Sequence, residues 1–337
     1  MDLNTTSINE LVDLVERDWS VYNKFPEQGI AQQLFIYDDL SSHRGESKRY
    51  TEIDTEMFAS LKPEGEDASI ATVQQGYTVT MTARRFAKEI SITYEMRRVN
   101  KKPEVVTQLH NMTHFCPNRK EIDLTHRIGF ATATSYVDMD GQTITTTVGD
   151  GLALVSAVHT LRGTATTFSN VVTGNPQFSK GGLEVAENQA RNQILSQFGE
   201  RRVMNFNTIF SSDHPNTVNN IKQFVQSTTD VDQNNPMVVN VYKGKYRHIV
   251  MPYLATLAAG ANDSTKDRYW GLVAAGQGQN GWQAYFGMWD APSLQTPSKG
   301  NNGEDVHNDN WTFGSRCMYG IATVSPRGFL LSTGLGA

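Results

Sequence analysis

Apolar residues recur along this chain in two rhythms, and each rhythm predicts a different element. Ile8, Leu11, Val12, Val15 and Trp19 stand at helical spacing beside a capping box of Ser7 and Glu10, which predicts an amphipathic helix over 7–20, closed by Pro26 and Gly29. From Tyr50 to Phe58 and from Ile70 to Thr82 the period drops to two, most clearly where Tyr77, Val79 and Met81 alternate with threonines, so a long hairpin is expected. Ile90, Ile92 and Tyr94 alternate in a further strand. Pro103, Val106, Leu109 and Met112 then open a helical pattern that predicts one helix over 103–136, kinked near Cys116 because Pro117 lacks a backbone donor.

Turns follow at Gly141 and at Gly149 to Gly151. Helices are predicted over 183–198, ended by Gly199, and over 217–226, and strands over 237–242, 246–251, 269–274, 282–289, 319–324 and 328–331. Between Pro292 and Asn310 the residues are polar and turn-forming, the signature of an exposed loop. No internal repeat, heptad run or low-complexity tract interrupts this order.

Against that pattern, the stretch from Asp38 to Ala71 holds too little apolar surface to build a core of its own and reads as an extended arm. Its charge sharpens the point. Asp38 to Asp67 carries nine acidic and four basic residues, a balance of -5, whereas Arg84 to Lys102 carries seven basic and two acidic, a balance of +5. An acidic arm next to a basic strip suits contact between copies, where charge complementarity sets register.

Length and composition bound the rest. A chain of 337 residues allows about two domains and a real core. The net charge of -5 argues against a protein that holds nucleic acid by neutralising phosphates. Cys116 and Cys317 cannot form a disulfide framework, which points to a reducing cytosol. The opening MDLNTTSINE has no basic start with an apolar run behind it, and the longest apolar runs fall far short of a membrane span, so a protein neither secreted nor membrane-bound is expected.

Three constellations invite a chemical reading, and each has a plainer one. Gly276, Gly278 and Gly281 satisfy the dinucleotide pattern G-x-G-x-x-G, but strand-like flanks and the lack of a following helix favour a glycine-rich hairpin. His110 and His114 stand four apart on the predicted helix, with Cys116 or His126 as conceivable further metal ligands; without an adjacent glutamate, polar packing is the better account. Asp150, Ser156 and His159 contain the residue types of a hydrolase triad, yet closeness in sequence does not supply its geometry. No Walker lysine or G-x-S-x-G elbow occurs. The chain is therefore expected to be no enzyme and to need no cofactor or metal.

The segment GDGLALVSAVH, with Gly149, Asp150, Gly151, Leu154, Ser156 and His159, resembles a motif that follows the long helix in the major head subunits of Mu-like phages, a class of the tailed-bacteriophage major capsid proteins. The likeness continues through Ser169 and Asn170, the helix beginning at Leu183, the strand pair Val239 to Leu254, Arg268 to Leu272, the aromatic AYFGMWDAP and the closing Arg316 to Gly334. It spans about Gly76 to Gly334. The family places Pro where Thr160 stands, and the acidic arm aligns with no family motif.

The resemblance implies an α+β chain in the Hong Kong ninety-seven capsid fold. Its parts would be an N-terminal arm (1–35), an extended hairpin or E-loop (36–83), a peripheral domain with a kinked spine helix (84–180), an axial mixed α/β domain (181–315) and return strands (316–337). It implies self-assembly into pentamers and hexamers that close an icosahedral shell around double-stranded DNA. A portal would be a partner, with separate scaffolding and decoration proteins as further candidates, and the virion, assembled in the bacterial cytoplasm, would be the location. Glu52, Asp54, Glu56, Glu64, Glu66 and Asp67 are expected to face some of Arg84, Arg85, Lys88, Arg97, Arg98, Lys101 and Lys102 on a neighbouring copy. An encapsulin-like compartment of the same fold, a dinucleotide-dependent enzyme and a tail-tube or baseplate protein are the alternatives.

Overall fold

The helical rhythm at the N-terminus becomes α1 (Thr5–Tyr22), which buries Leu11, Val12 and Val15. The computed structural model describes residues 5–22, 29–98, 102–192, 194–229, 239–277, 281–297 and 310–336. A 3-10 turn at Ala31–Leu34 leads into β1 (Ile36–Asp39), and the expected hairpin is β2 (Ser47–Thr55) and β3 (Val73–Thr82). These pair antiparallel from Ser47 opposite Thr82 to Thr55 opposite Val73, with a bulge between Thr51 and Ile53. β4 (Arg84–Ile92) starts earlier than its apolar alternation suggested, and Tyr94 belongs to α2 (Tyr94–Arg98) instead of extending the strand.

The predicted single helix over 103–136 is two shorter ones, α3 (Lys102–Met112) and α4 (Phe115–Gly129). The break falls at Thr113 and His114, so Pro117 sits in the first turn of α4, where its missing N–H has no intrahelical partner to lose. Beyond Gly129 the chain forms β5 (Ser135–Val137) and β6 (Thr143–Thr145). Turn chemistry wins over helical spacing there, since Asp138 Oδ1 accepts from the N–H groups of Asp140 at 3.0 Å and Gln142 at 2.8 Å.

After a short pair, β7 (His159–Thr160) and β8 (Thr167–Phe168), come α5 (Lys180–Asn192), β9 (Thr208–Ser212), α6 (Pro215–Gln226), β10 (Arg247–Met251), β11 (Trp270–Val273), β12 (Ala284–Gln295), β13 (Trp311–Thr323) and β14 (Phe329–Ser332). The strand predicted over 237–242 is not seen in its described part, where Val241 to Lys245 form turns, and residues 237 and 238 lie outside the described residues. The polar stretch before Asn310 joins β12 and β13 of one long hairpin, with 298–309 outside the described residues.

Two four-stranded sheets organise this mixed α+β chain, in the orders β1-β12-β13-β4 and β10-β9-β11-β14. The second is buried on both faces. Phe210, Val273, Phe329 and Leu331 point into a core shared with α4 and the first sheet, while Ile209, Leu272 and Leu330 point the other way, beneath α5 and α6. This explains why GFLLS reads as a continuous apolar run instead of an alternation. A third cluster joins α1, α3 and the outer ends of β4 and β13 through Leu11, Val12, Leu109 and Phe313.

Candidate functional site

The segment that resembles the phage motif folds into a buried joint. Gly151, at φ +80°, makes the turn, and Gly149 lets β3 approach so closely that an added Cβ would lie 2.3 Å from Cβ of Tyr77. Leu154 anchors the core. His159 is fully buried, with Nδ1 at 2.7 Å from Asp150 Oδ2 and Nε2 at 3.2 Å from the Leu154 carbonyl and 3.1 Å from Asn170 Oδ1. Asn170 completes the set, donating to the Leu154 carbonyl at 2.7 Å and accepting from the Ser156 N–H at 2.8 Å.

This geometry disposes of the triad. Ser156 Oγ accepts from the Val158 N–H at 3.3 Å, whereas both ring nitrogens of His159 face other acceptors, so the ring has no serine to activate. The other constellations dissolve as well. Gly276 lies in a turn after β11, Gly278 is outside the described residues, and Gly281 leads into β12, not a helix. His110 and His114 lie edge to ring at 5.7 Å, while His126 is buried against Thr256 at 2.8 Å, and burial pushes its pKa down to about 4. Among the described residues no group of three metal-ligating side chains forms.

The hairpin divides into a root and a tip. At the root, β2 turns its two carboxylates inward: Glu52 and Asp54 are buried, and Ile53 between them is 58% exposed. Arg327, itself 2% exposed, forms an ion pair with Glu52 and stands 3.9 Å from Asp54, while Arg202 stands 3.5 Å from Asp54. Gln197 donates through Nε2 to Glu52 at 2.7 Å and through its backbone N–H to Asp54 at 2.8 Å. Arg162 joins this group to the joint, donating to the Gly76 carbonyl at 2.9 Å. Glu52 and Asp54 are therefore engaged within their own chain, a correction to the reading that sent them to a neighbour. Two buried carboxylates require nearby cations, and the C-terminal turn supplies one.

Arg327 had no distinct signal in the sequence, because Pro-Arg-Gly reads as an exposed turn. Its flanks were the clue: apolar strands on either side place the turn inside the molecule, and a buried arginine needs a carboxylate.

The tip is bare. Every residue from Thr55 to Val73 is exposed, including Phe58 at 70%, Leu61 at 94% and Ile70 at 94%. Glu56 accepts from the Thr72 N–H at 3.2 Å, and the Met57 N–H donates to Glu200 at 3.2 Å. Glu64, Glu66 and Asp67 lie beyond, near the Gly65 turn.

The basic strip occupies a different place. Arg84 pairs with Asp138 at 2.6 Å within the chain, whereas Arg85 and Lys88 are exposed on β4, an edge strand. Both line an open groove of about 530 Å³ between β4 and α4, with Phe86, Phe115, Ile122 and Tyr253 as its apolar floor. Arg119 is held there by Asp123 and Asp138 at 3.1 Å and Asp140 at 2.9 Å. The side chains of Arg97, Arg98 and Lys102, and all of Lys101, lie outside the described residues.

Among the described residues no helix is long and apolar enough to cross a membrane. No family model matches the chain, and no curated relative matches it. Solved structures similar to it include the capsid of Cyanophage P-SCSP1u, at 10% identity over 89% of this chain and 86% of the other, with a TM-score of 0.48. The procapsid of bacteriophage JBD30 matches at 9% identity over 96% of this chain and 74% of the other, with a TM-score of 0.46. The capsid of Ralstonia phage GP4 matches at 13% identity over 89% and 87%, with a TM-score of 0.45.

Proposed function

We propose that this chain is the major capsid protein of a tailed bacteriophage, a non-enzymatic subunit that assembles as pentamers and hexamers into an icosahedral shell around double-stranded DNA. The observation that carries the reading is the hairpin, whose root is locked into its own chain by buried ion pairs while its tip, Thr55 to Val73, touches almost nothing. A protruding, acidic and partly apolar tip gains order by lying on another copy. The buried joint adds support, since Asp150, Leu154 and Ser156 of the Mu-like motif are tied by hydrogen bonds to His159 or to Asn170 beside it.

In this reading the tip lies along a neighbour's β4 edge and its groove. Glu64, Glu66 and Asp67 approach Arg85 and Lys88, with Arg97, Arg98, Lys101 and Lys102 as further cations of the same strip. Phe58 and Leu61 cover apolar floor residues such as Phe86 and Phe115. Repeated interfaces of roughly 2,000 Å² or more would hold the shell. The shell belongs to the virion after assembly in the bacterial cytoplasm, with a portal and possible scaffolding and decoration proteins as partners.

The test replaces residues 58–70 by a short glycine-serine turn and compares the products by electron microscopy and circular dichroism. The intact chain, expressed with its genetic neighbours, is expected to give closed shells. The shortened chain is expected to remain folded but to give no shells. Shells at equal yield without the tip would overturn the docking, and no particle of any kind from the intact chain would overturn the function.

A further inference from the structure

The chain contains two cysteines, roughly 200 residues apart, and the fold brings them together. Cys116 is the second residue of α4 and Cys317 lies in β13; both are buried in the same core cluster, and the two thiols lie close enough to perturb each other's ionisation. Cys116 Sγ also lies 3.9 Å from Ser315 Oγ, and both residues reach the wall of the groove between β4 and α4. One thiol therefore has a path to solvent, and its partner stands behind it.

We propose that Cys116 and Cys317 form a redox pair which closes into a disulfide, stapling α4 to β13, when the chain passes from a reducing to an oxidising medium. This inference does not depend on the shell reading. Cys116 is the attacking thiol. The Cys317 thiol beside it holds its pKa below the ordinary thiol value, while the Cys116 thiol and burial raise that of Cys317. Lys120, one turn further along α4, adds positive charge beside the pair, and its buried ammonium is itself pushed down to about 8 by desolvation.

The oxidant is a low-molecular-weight disulfide such as oxidised glutathione. The Cys116 thiolate attacks one of its sulfurs, its S–S bond breaks, and one small thiolate leaves, giving a mixed disulfide on Cys116. That thiolate takes the proton of Cys317, whose sulfur attacks Cys116 Sγ and expels the second small thiolate. Two protein thiols are oxidised and one small disulfide is reduced to two thiols. The bond closes a very long loop, so the unfolded chain loses the most freedom and the folded one gains stability.

The test incubates the purified protein with oxidised glutathione or with dithiothreitol, blocks residual thiols with N-ethylmaleimide after unfolding, and analyses mass and peptides. The expected result is an intact mass lower by about 2 Da with no maleimide taken up, and one linked peptide pair containing Cys116 and Cys317. The midpoint of thermal unfolding should rise by roughly 5 °C and return on reduction. Cys317→Ser should stop at the mixed disulfide on Cys116. Two maleimides on the oxidised wild type, or a link between the Cys116 residues of two chains, would overturn the pair. An unmodified Cys116 in Cys317→Ser would overturn its role as the attacking thiol.

Discussion

Root and tip of the hairpin follow one another along the same stretch of chain, the root as paired strands and the tip as irregular turns, and they are built by opposite rules. At the root, charge is inside: Glu52 and Asp54 are buried against Arg327, Arg202 and Gln197. At the tip, grease is outside: Phe58, Leu61 and Ile70 are exposed together. The root ties the hairpin to the body of the chain, since a buried carboxylate that loses its cation is left uncompensated. Among the described residues nothing comparable holds the tip, so one hairpin carries a tied base and a bare end.

The strongest way to break this contrast is at Arg327. Arg327→Met removes the cation that Glu52 shares and leaves two buried carboxylates with Arg202 and Gln197 as their remaining partners among the described residues. Breaking a buried pair from one side is expected to destabilise the subunit by about 3 kcal/mol in urea unfolding. Adding Glu52→Gln and Asp54→Asn to the same chain should restore at least half of that loss, because no uncompensated charge then remains. A loss from Arg327→Met below about 1 kcal/mol would mean that the root is held by packing, not by charge.

A smaller effect is expected where the joint meets β3. Gly149→Ala places a methyl 2.3 Å from Cβ of Tyr77, and one of the two backbones must move. Such overpacking typically costs about 1–3 kcal/mol. Hydrogen exchange should show the loss in β3 and spare α1, which packs in a separate cluster against α3. Equal loss in both would deny that the joint acts on the hairpin.

How much of this could be read in advance depended on whether a pattern had competitors. The helix of Leu11, Val12 and Val15 and the hairpin of Tyr77, Val79 and Met81 have strong single periods, and both stand where they were expected. The long helix failed first at Thr113 and His114, between α3 and α4, and again beyond Gly129, where the Asp138 turn closes β5 on β6. β2 stands as a strand, but Glu52 and Asp54, expected to face a neighbouring copy, are buried while Ile53 between them is exposed. Arg327, some 275 positions away, pairs with Glu52 and, with Arg202 and Gln197, compensates this buried face. Partners so distant in sequence leave no periodic trace. Asp150, Ser156 and His159 supply the residue types of a triad, but the histidine faces Asp150 and Asn170 and not the serine, and that is a matter of three-dimensional geometry.

The exposed tip also sets the mildest and most discriminating prediction. Replacing Phe58, Leu61 and Ile70 together by serine removes apolar groups that are already in water, so the stability of the isolated subunit should change by no more than about 0.5 kcal/mol. The same triple variant should lose most of its particle yield if, as proposed, these side chains find their contact area on a neighbouring copy. The ratio of the two effects is the informative quantity. A residue that serves its own fold changes stability and assembly together, as Arg327 should; a residue reserved for a neighbour changes assembly alone. If the triple serine variant unfolds as readily as Arg327→Met, the tip has an intramolecular berth, and the hairpin is one rigid element with no separate tip. If stability holds while particles vanish, the boundary between the two rules lies near Thr55, where the buried carboxylates end and the run of exposed residues begins.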